Sequence, residues 1–254
     1  MNAEIWRVIG ASVSGVRHRR EDMPCQDYWG YRTLPTGEVV VAVADGAGSA
    51  PLAAEGAHAM VENALATIGA IWERYRPASR RAWRDVVTQA FQVAQHRLLL
   101  RAAAANQPPR AYAATLLVVI ASRELVVCGL VGDCAAVGAP QHGALQALCE
   151  PQRGEYANIT FFATHHDLGE QLAVQLVEGP FRQLALMTDG LLPLALNLEH
   201  NQPFAPFFTP LFAFAAEATS EGAAAQALAT FLESERVNQR THDDKTLVLL
   251  TRIT

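Results

Sequence analysis

Residues Val39-Val40-Val41-Ala42-Val43-Ala44 form an unbroken apolar run that stops at Asp45-Gly46-Ala47-Gly48-Ser49. Six such residues, mostly β-branched and with no polar alternate, read as a fully buried strand. A carboxylate at the end of that strand is a position suited to a hard cation, because Gly46 and Gly48 let the backbone turn sharply or approach a ligand closely. Read alone, the same residues also describe an ordinary strand, turn and helix start. Asp45 is then a turn residue, with Ser49 as N-cap and Pro51 in the first helical turn.

The rest of the chain repeats the theme. Leu34-Pro35-Thr36-Gly37 is a turn that joins a strand over 28–33 to the 39–44 strand as a hairpin. Asp27 and Asp45 sit nearly symmetrically about it, so the hairpin brings both carboxylates to one sheet edge. Unshielded, they would repel and require a proton or a cation between them. A second apolar strand, Leu184 to Thr188, again ends in Asp-Gly at Asp189-Gly190, and Asp243-Asp244 precedes a last strand over 247–253. A strand ending at the site and an antiparallel neighbour starting there put Asp189 and Asp243 at one edge as well.

Between these motifs the periodicity changes. Val61, Leu65, Ile68 and Trp72 form one stripe of a helix over 51–75, and Trp83, Val87, Ala90, Ala94 and Leu98 one stripe of a second over 79–105. His58 and His96 on them read as ordinary surface or core histidines. Strands are expected over 5–13, 112–121, 125–131, 135–138 and 145–149; Asp133, before the fourth, is a candidate ligand but reads better as a residue stabilising the turn. Residues 150–166 are expected to cross the surface. Helical character returns over 191–195, 204–218 and 222–237. The order of strands, helix pair, strands, helix pair and strand predicts an α+β chain. Two stacked antiparallel sheets would lie between two helical layers, as one domain over residues 1–254.

Composition narrows the function. A net charge of −5 over 254 residues, with Lys245 the only lysine, argues against a nucleic-acid binder. The longest apolar run, 111–121, is too short to span a bilayer, and Met1 to Glu4 do not begin a signal peptide. Cys25, Cys128, Cys134 and Cys149 lack CxxC spacing and read as thiols in a reducing, cytoplasmic compartment. The basic segment 15–24 is either a solvated loop or an anion-binding one. Four clustered carboxylates cannot all stay ionised without cations. Two divalent metals therefore follow, Mg²⁺ or Mn²⁺ from the all-oxygen donors, with a metal-activated water as nucleophile toward phosphorus.

Taken together, Gln26-Asp27, Asp45-Gly46-Ala47-Gly48-Ser49, Thr188-Asp189-Gly190 and Asp243-Asp244-Lys245-Thr246 resemble the ordered acidic motifs of the metal-dependent serine/threonine protein phosphatases of type 2C, in their bacterial branch. Ala113-Ala114-Thr115 and Gly132-Asp133 stand where that family has its middle strand motifs, and the resemblance spans about residues 5–252. It implies an α-β-β-α sandwich and catalysis through Asp45, Asp189 and Asp243. It implies two Mn²⁺ or Mg²⁺ ions bridged by Asp45. Asp189 and Asp243 would complete one shell, and Asp27, the Gly46 carbonyl and the Gln26 region would serve the other. It implies a phosphorylated protein as substrate and a cognate serine/threonine kinase as partner.

The chain also departs from the pattern. Gln26 replaces a glutamate, and Ala47 a histidine proposed as an acid in some relatives. No aspartate near Arg110 matches one that supplies a third metal in others. Asp22 stands where an arginine often meets phosphate, leaving His18 and Arg20 as phosphate-binding candidates. A weakly active or inactive regulatory module of the same fold is the alternative function.

Overall fold

The computed structural model describes residues 5–152, 161–165 and 168–253. In chain order its elements are β1 (Ile5–Val13), α1 (Val16–Arg20), β2 (Tyr28–Thr33), β3 (Val39–Ala44), α2 (Ala53–Trp72), α3 (Arg80–Ala104), β4 (Leu116–Ala121), β5 (Leu125–Val131), β6 (Ala135–Pro140) and β7 (Gln146–Cys149). There follow α4 (Leu168–Gln171), β8 (Ala173–Glu178), β9 (Phe181–Met187), α5 (Leu192–Ala195), β10 (Leu196–Asn197), β11 (Gln202–Pro203), α6 (Ala205–Glu217), α7 (Glu221–Leu232), α8 (Glu235–Asn238) and β12 (Lys245–Ile253).

Among the described residues, two five-stranded antiparallel sheets run β1-β12-β9-β6-β7 and β2-β3-β4-β5-β8. Each draws strands from both halves of the chain. The fully buried β3 shows how they stack. Val39, Val41 and Val43 face the other sheet, against Trp6, Val8, Leu186 and Val248. Val40, Ala42 and Ala44 face α2 and α3, with Met60, Val61 and Phe91 in the same cluster. Period-two alternation therefore feeds two cores, and the apolar run of β3 needs no polar side. On the far face of the β1–β12 sheet, Ile9, Ala11, Leu247 and Leu249 pack under α6 and α7 with Phe208, Phe212 and Leu228. The layers are α-β-β-α.

The hairpin register pairs Tyr28 with Ala44 and Thr33 with Val39. Extended by one step, it sets Asp27 opposite Asp45. Likewise Leu247 pairs with Met187, so the segments around Asp189 and Asp243 lie at the same end of their sheet.

Several boundaries differ from expectation for local reasons. Ser49 does not cap a helix: Ala50 N–H donates to the Ala47 carbonyl at 2.8 Å, which closes a separate turn, and α2 begins at Ala53 behind Leu52. Pro109 to Tyr112 form a 3₁₀ turn that packs against α2 at Gly56, so β4 starts only at Leu116. The basic segment is not a loop throughout, since Val16–Arg20 are helical. The 222–237 helix divides, because Ser234 is extended (φ −61°, ψ 150°) between α7 and α8. β8 was not foreseen; Gln175 and Glu178 dilute its apolar signal at a sheet edge. Of the segment expected to cross the surface, residues 153–160 and 166 lie outside the described residues. Ala163 instead turns inward, its N–H donating to the Ala114 carbonyl at 2.9 Å.

Phe208 is fully buried and stacks on Phe212 at 5.8 Å between ring centroids. Phe208→Ala is expected to destabilise the protein by about 3–5 kcal/mol in urea titration. A loss under about 1 kcal/mol would contradict the packing of α6 on the β1–β12 sheet.

Candidate metal centre

Four carboxylates come together where the two sheets share an end. The side-chain oxygens of Asp45, Asp133 and Asp189 lie within 4.8 Å of one another. Asp27 lies close enough for its charge to act on Asp45. Asp243 is more exposed, and its charge acts on both Asp45 and Asp189.

The backbone holds these groups in place. Asp45 N–H donates to Thr115 Oγ1 and the Asp45 carbonyl accepts from Thr115 N–H, each at 2.8 Å. Gly46 N–H donates to the Gln26 carbonyl at 3.1 Å, which ties the Asp45 turn to the first motif. Asp27 crosses between the sheets: its Oδ2 accepts from the hydroxyls of Thr188 at 2.7 Å and Thr246 at 2.8 Å. Its Oδ1 and the Gln26 Oε1 are buried with no hydrogen-bond partner. Asp244 has another task. One of its oxygens accepts from Gly15 N–H and the other from Gln26 N–H, both at 2.6 Å, and His18 Nδ1 lies 2.9 Å from each. Two glycines allow this crowding: a Cβ on Gly190 would overlap the Asp244 carbonyl, and one on Gly15 the backbone of His242 and Asp243.

The electrostatics follow from burial and crowding. Burial, then the Asp244 charge, raises the Asp27 carboxyl from 3.8 to about 7, although the Thr188 and Thr246 hydroxyls oppose the shift. Burial, then Asp133, Asp243 and Asp27, raises Asp189 from 3.8 to about 8. Asp45 is raised well above the usual carboxylate range by burial and by Asp27, Asp189, Asp133 and Asp243. The carboxylates therefore concentrate negative charge in one place. All donors are oxygen, two buried oxygens lack partners, and the carboxylates resist ionising together. These residues fit divalent metal ions.

Among the sequence candidates, Asp27, Asp45, Gly46 and Asp189 converge, and Asp243 stands at the edge. Asp133 belongs with them rather than serving only its turn. The signal was the Gly-Asp after an apolar strand, the same as at Asp45 and Asp189. His18 is 5% exposed and faces Asp244, which removes it from an anion-facing surface. Arg20 is exposed at the end of α1. Arg17, in the basic segment offered as an anion-binding loop but not singled out, reaches the Gly48 turn: its guanidinium and Gln26 Oε1 are the nearest atoms to the point where a Gly48 Cβ would stand, at 3.8 and 4.0 Å.

Residues 14–233 match the family described as Protein phosphatase 2C. The chain is 37% identical to Serine/threonine-protein phosphatase 3 of Escherichia coli (strain K12), over 96% of this chain and 97% of that one. Its fold resembles the serine/threonine phosphatase of S. agalactiae, with a TM-score of 0.68 at 14% identity over 97% and 99% of the two chains. It also resembles the catalytic domain of the serine threonine protein phosphatase PstP, solved with two manganese ions, with a TM-score of 0.63 at 13% identity over 99% and 100%.

The raised carboxyls set a pH dependence. Asp27 and Asp189 bind protons more tightly in the folded protein than at the ordinary 3.8. Their contribution to stability is thus present at low pH and lost as pH rises through about 7 and 8. The melting temperature of chelator-treated protein should fall by several degrees from pH 6 to pH 8.5, and added Mn²⁺ should restore more of it at the higher pH. Equal melting temperatures across that range, or equal Mn²⁺ effects, would contradict the assignment.

Proposed function

Since the chain belongs to the protein phosphatase 2C family, we propose that it is a divalent-metal-dependent phosphoprotein phosphatase acting on phosphoserine and phosphothreonine. The observation that carries this reading is the convergence of Asp45, Asp133 and Asp189 beside Asp27, with the orphaned Asp27 Oδ1 and Gln26 Oε1. In this reading Asp45, with Asp189 and Asp243 on one side and Asp27, the Gly46 carbonyl and Gln26 on the other, would hold two Mn²⁺ or Mg²⁺ ions. Bound there, the cations supply the charge that steadies a phosphate and activates a water toward phosphorus.

The chain's own residues prepare that chemistry. The Thr188 and Thr246 hydroxyls occupy one oxygen of Asp27 and leave the other aimed at the cluster. Asp244 fixes the Gly15 and Gln26 amides, and so the position of the first motif. The reach of Arg17 to the Gly48 turn supports it as the phosphate-orienting group, ahead of Arg20, and the inward His18 is a support for the loop. Ala47 carries no proton to give the leaving group.

A purely regulatory module gains nothing from burying carboxylates that repel one another, so the cluster supports the enzyme. Its substrate is then a phosphoprotein supplied by a serine/threonine kinase. The free thiols of Cys25, Cys128, Cys134 and Cys149 suit a cytoplasmic setting. No helix among the described residues is long and apolar enough to cross a membrane.

Hydrolysis of an aryl phosphate should require added Mn²⁺ or Mg²⁺ and vanish with chelator. Asp45→Asn should leave a cooperatively folded protein with less than about a tenth of wild-type turnover, since metal activation contributes several kcal/mol to barrier lowering. Full turnover in verified metal-free protein, or an active Asp45→Asn variant, would overturn the reading.

Gln26 offers a finer test. A buried amide oxygen without a partner lacks the charge that offsets dehydration of a cation. Gln26→Glu is expected to lower the half-saturating Mn²⁺ concentration several-fold. An unchanged or higher value would remove Gln26 from the ligand set.

A further inference from the structure

The helical layer over β1 and β12 is not closed. An open groove of about 1000 Å³ runs between α5, α6, α7 and α8. Phe204, Phe207, Phe214 and Phe231 line it. Six of the chain's ten phenylalanines fall between residues 204 and 231, more than the core under them uses: Phe204 is 53% exposed, and Phe214 and Phe231 are only partly covered. Pro193, Pro206 and Pro210 stiffen its rim. Partly exposed aromatic rings gathered around one opening suit an interaction site.

Charge supplies the second observation. Arg236 and Arg240 line one end of the groove and are exposed. Neither side chain has an ion pair or hydrogen bond among the described residues, whereas Arg101 pairs with Glu55 and Arg80 with Glu178. Two guanidinium groups without carboxylate partners, on a chain of net charge −5, stand directly beside an aromatic wall. That combination fits a segment whose large apolar side chains adjoin aspartate or glutamate.

Connectivity supplies the third. α5 begins three residues after Asp189, and α8 ends five residues before Asp243. Two walls of the groove are thus direct extensions of segments that carry the acidic cluster.

We propose that this groove is a docking site for an apolar–acidic segment of the phosphoprotein substrate, distinct from the phosphorylated residue and oriented by Arg236 and Arg240. The proposal rests on the phosphatase reading above. It can be tested by selecting a phage-displayed random dodecapeptide library on the full-length protein with Mn²⁺. The recovered peptides are measured by fluorescence anisotropy and then fused to a phosphothreonine peptide. Recovered sequences should combine Phe, Leu or Trp with Asp or Glu, and the double variant R236E/R240E should bind them at least about tenfold more weakly. Fusion should lower KM by about tenfold or more with kcat unchanged, the gain expected from tethering. That gain should vanish in R236E/R240E, whose aryl phosphate turnover stays at the wild-type level. Phe204→Ala, at an exposed position, should weaken binding without charge reversal.

The proposal is overturned if no peptide is recovered, or if binding ignores the arginine reversal. It is also overturned if bound peptides leave KM unchanged, or if light scattering shows a dimer that R236E/R240E dissolves. Absent aryl phosphate turnover in wild type with Mn²⁺ would instead bring down the phosphatase reading, and substrate docking with it. Peptide binding would still report whether the groove recognises such a segment.

Discussion

Negative charge is concentrated where the two sheets share an end. The carboxyls of Asp27, Asp45 and Asp189 are all raised, chiefly by burial and then by the charges of neighbouring aspartates. The arrangement persists because the backbone leaves no alternative. Asp45 is held by Thr115, Asp27 by Thr188 and Thr246, and the crowded Asp243-Asp244 backbone fits only beside Gly15 and Gly190. The sandwich, with one core between the sheets and one under each helical layer, is stable enough to hold a repulsive cluster in one place. A divalent cation would relieve that repulsion, and folding and metal binding would then depend on the same residues.

The paired sheets also explain why the ligands come from distant parts of the chain. Asp27 and Asp45 end up opposite through one hairpin register, and the pairing of β9 with β12 brings the segments around Asp189 and Asp243 to one end of the second sheet. Asp27 reaches across to hydroxyls of that second sheet, so the site works as the fastening between the layers. Family membership and the match to solved phosphatase folds agree with this construction.

Much of this was legible in the residues. The apolar run of β3, the symmetric placing of Asp27 and Asp45 about a Pro-Gly turn, and the helical stripes of α2 and α3 each express a local rule. Together they point to the layered fold. Asp133 read better as a turn residue than as a ligand because an aspartate after a glycine has an adequate local explanation, and only the three-dimensional approach to Asp45 and Asp189 sets it among the clustered carboxylates. His18 was misjudged because its neighbours are basic and polar. Its partner Asp244 lies 226 residues away, and no periodicity reports such a contact. β8 was missed since an edge strand half open to water carries little apolar signal. The approach of Arg17 to the Gly48 turn joins segments about thirty residues apart, which sequence spacing does not encode.

The central claim is that this cluster is built to exchange protons for divalent cations. Isothermal titration of Mn²⁺ into chelator-stripped protein near pH 7, in two buffers of different ionisation enthalpy, measures it directly by counting protons released on binding. The account predicts saturable binding with net proton release, reduced in both affinity and proton count by Asp45→Asn. Absence of Mn²⁺ binding at millimolar concentration, or binding that releases no protons, would contradict it.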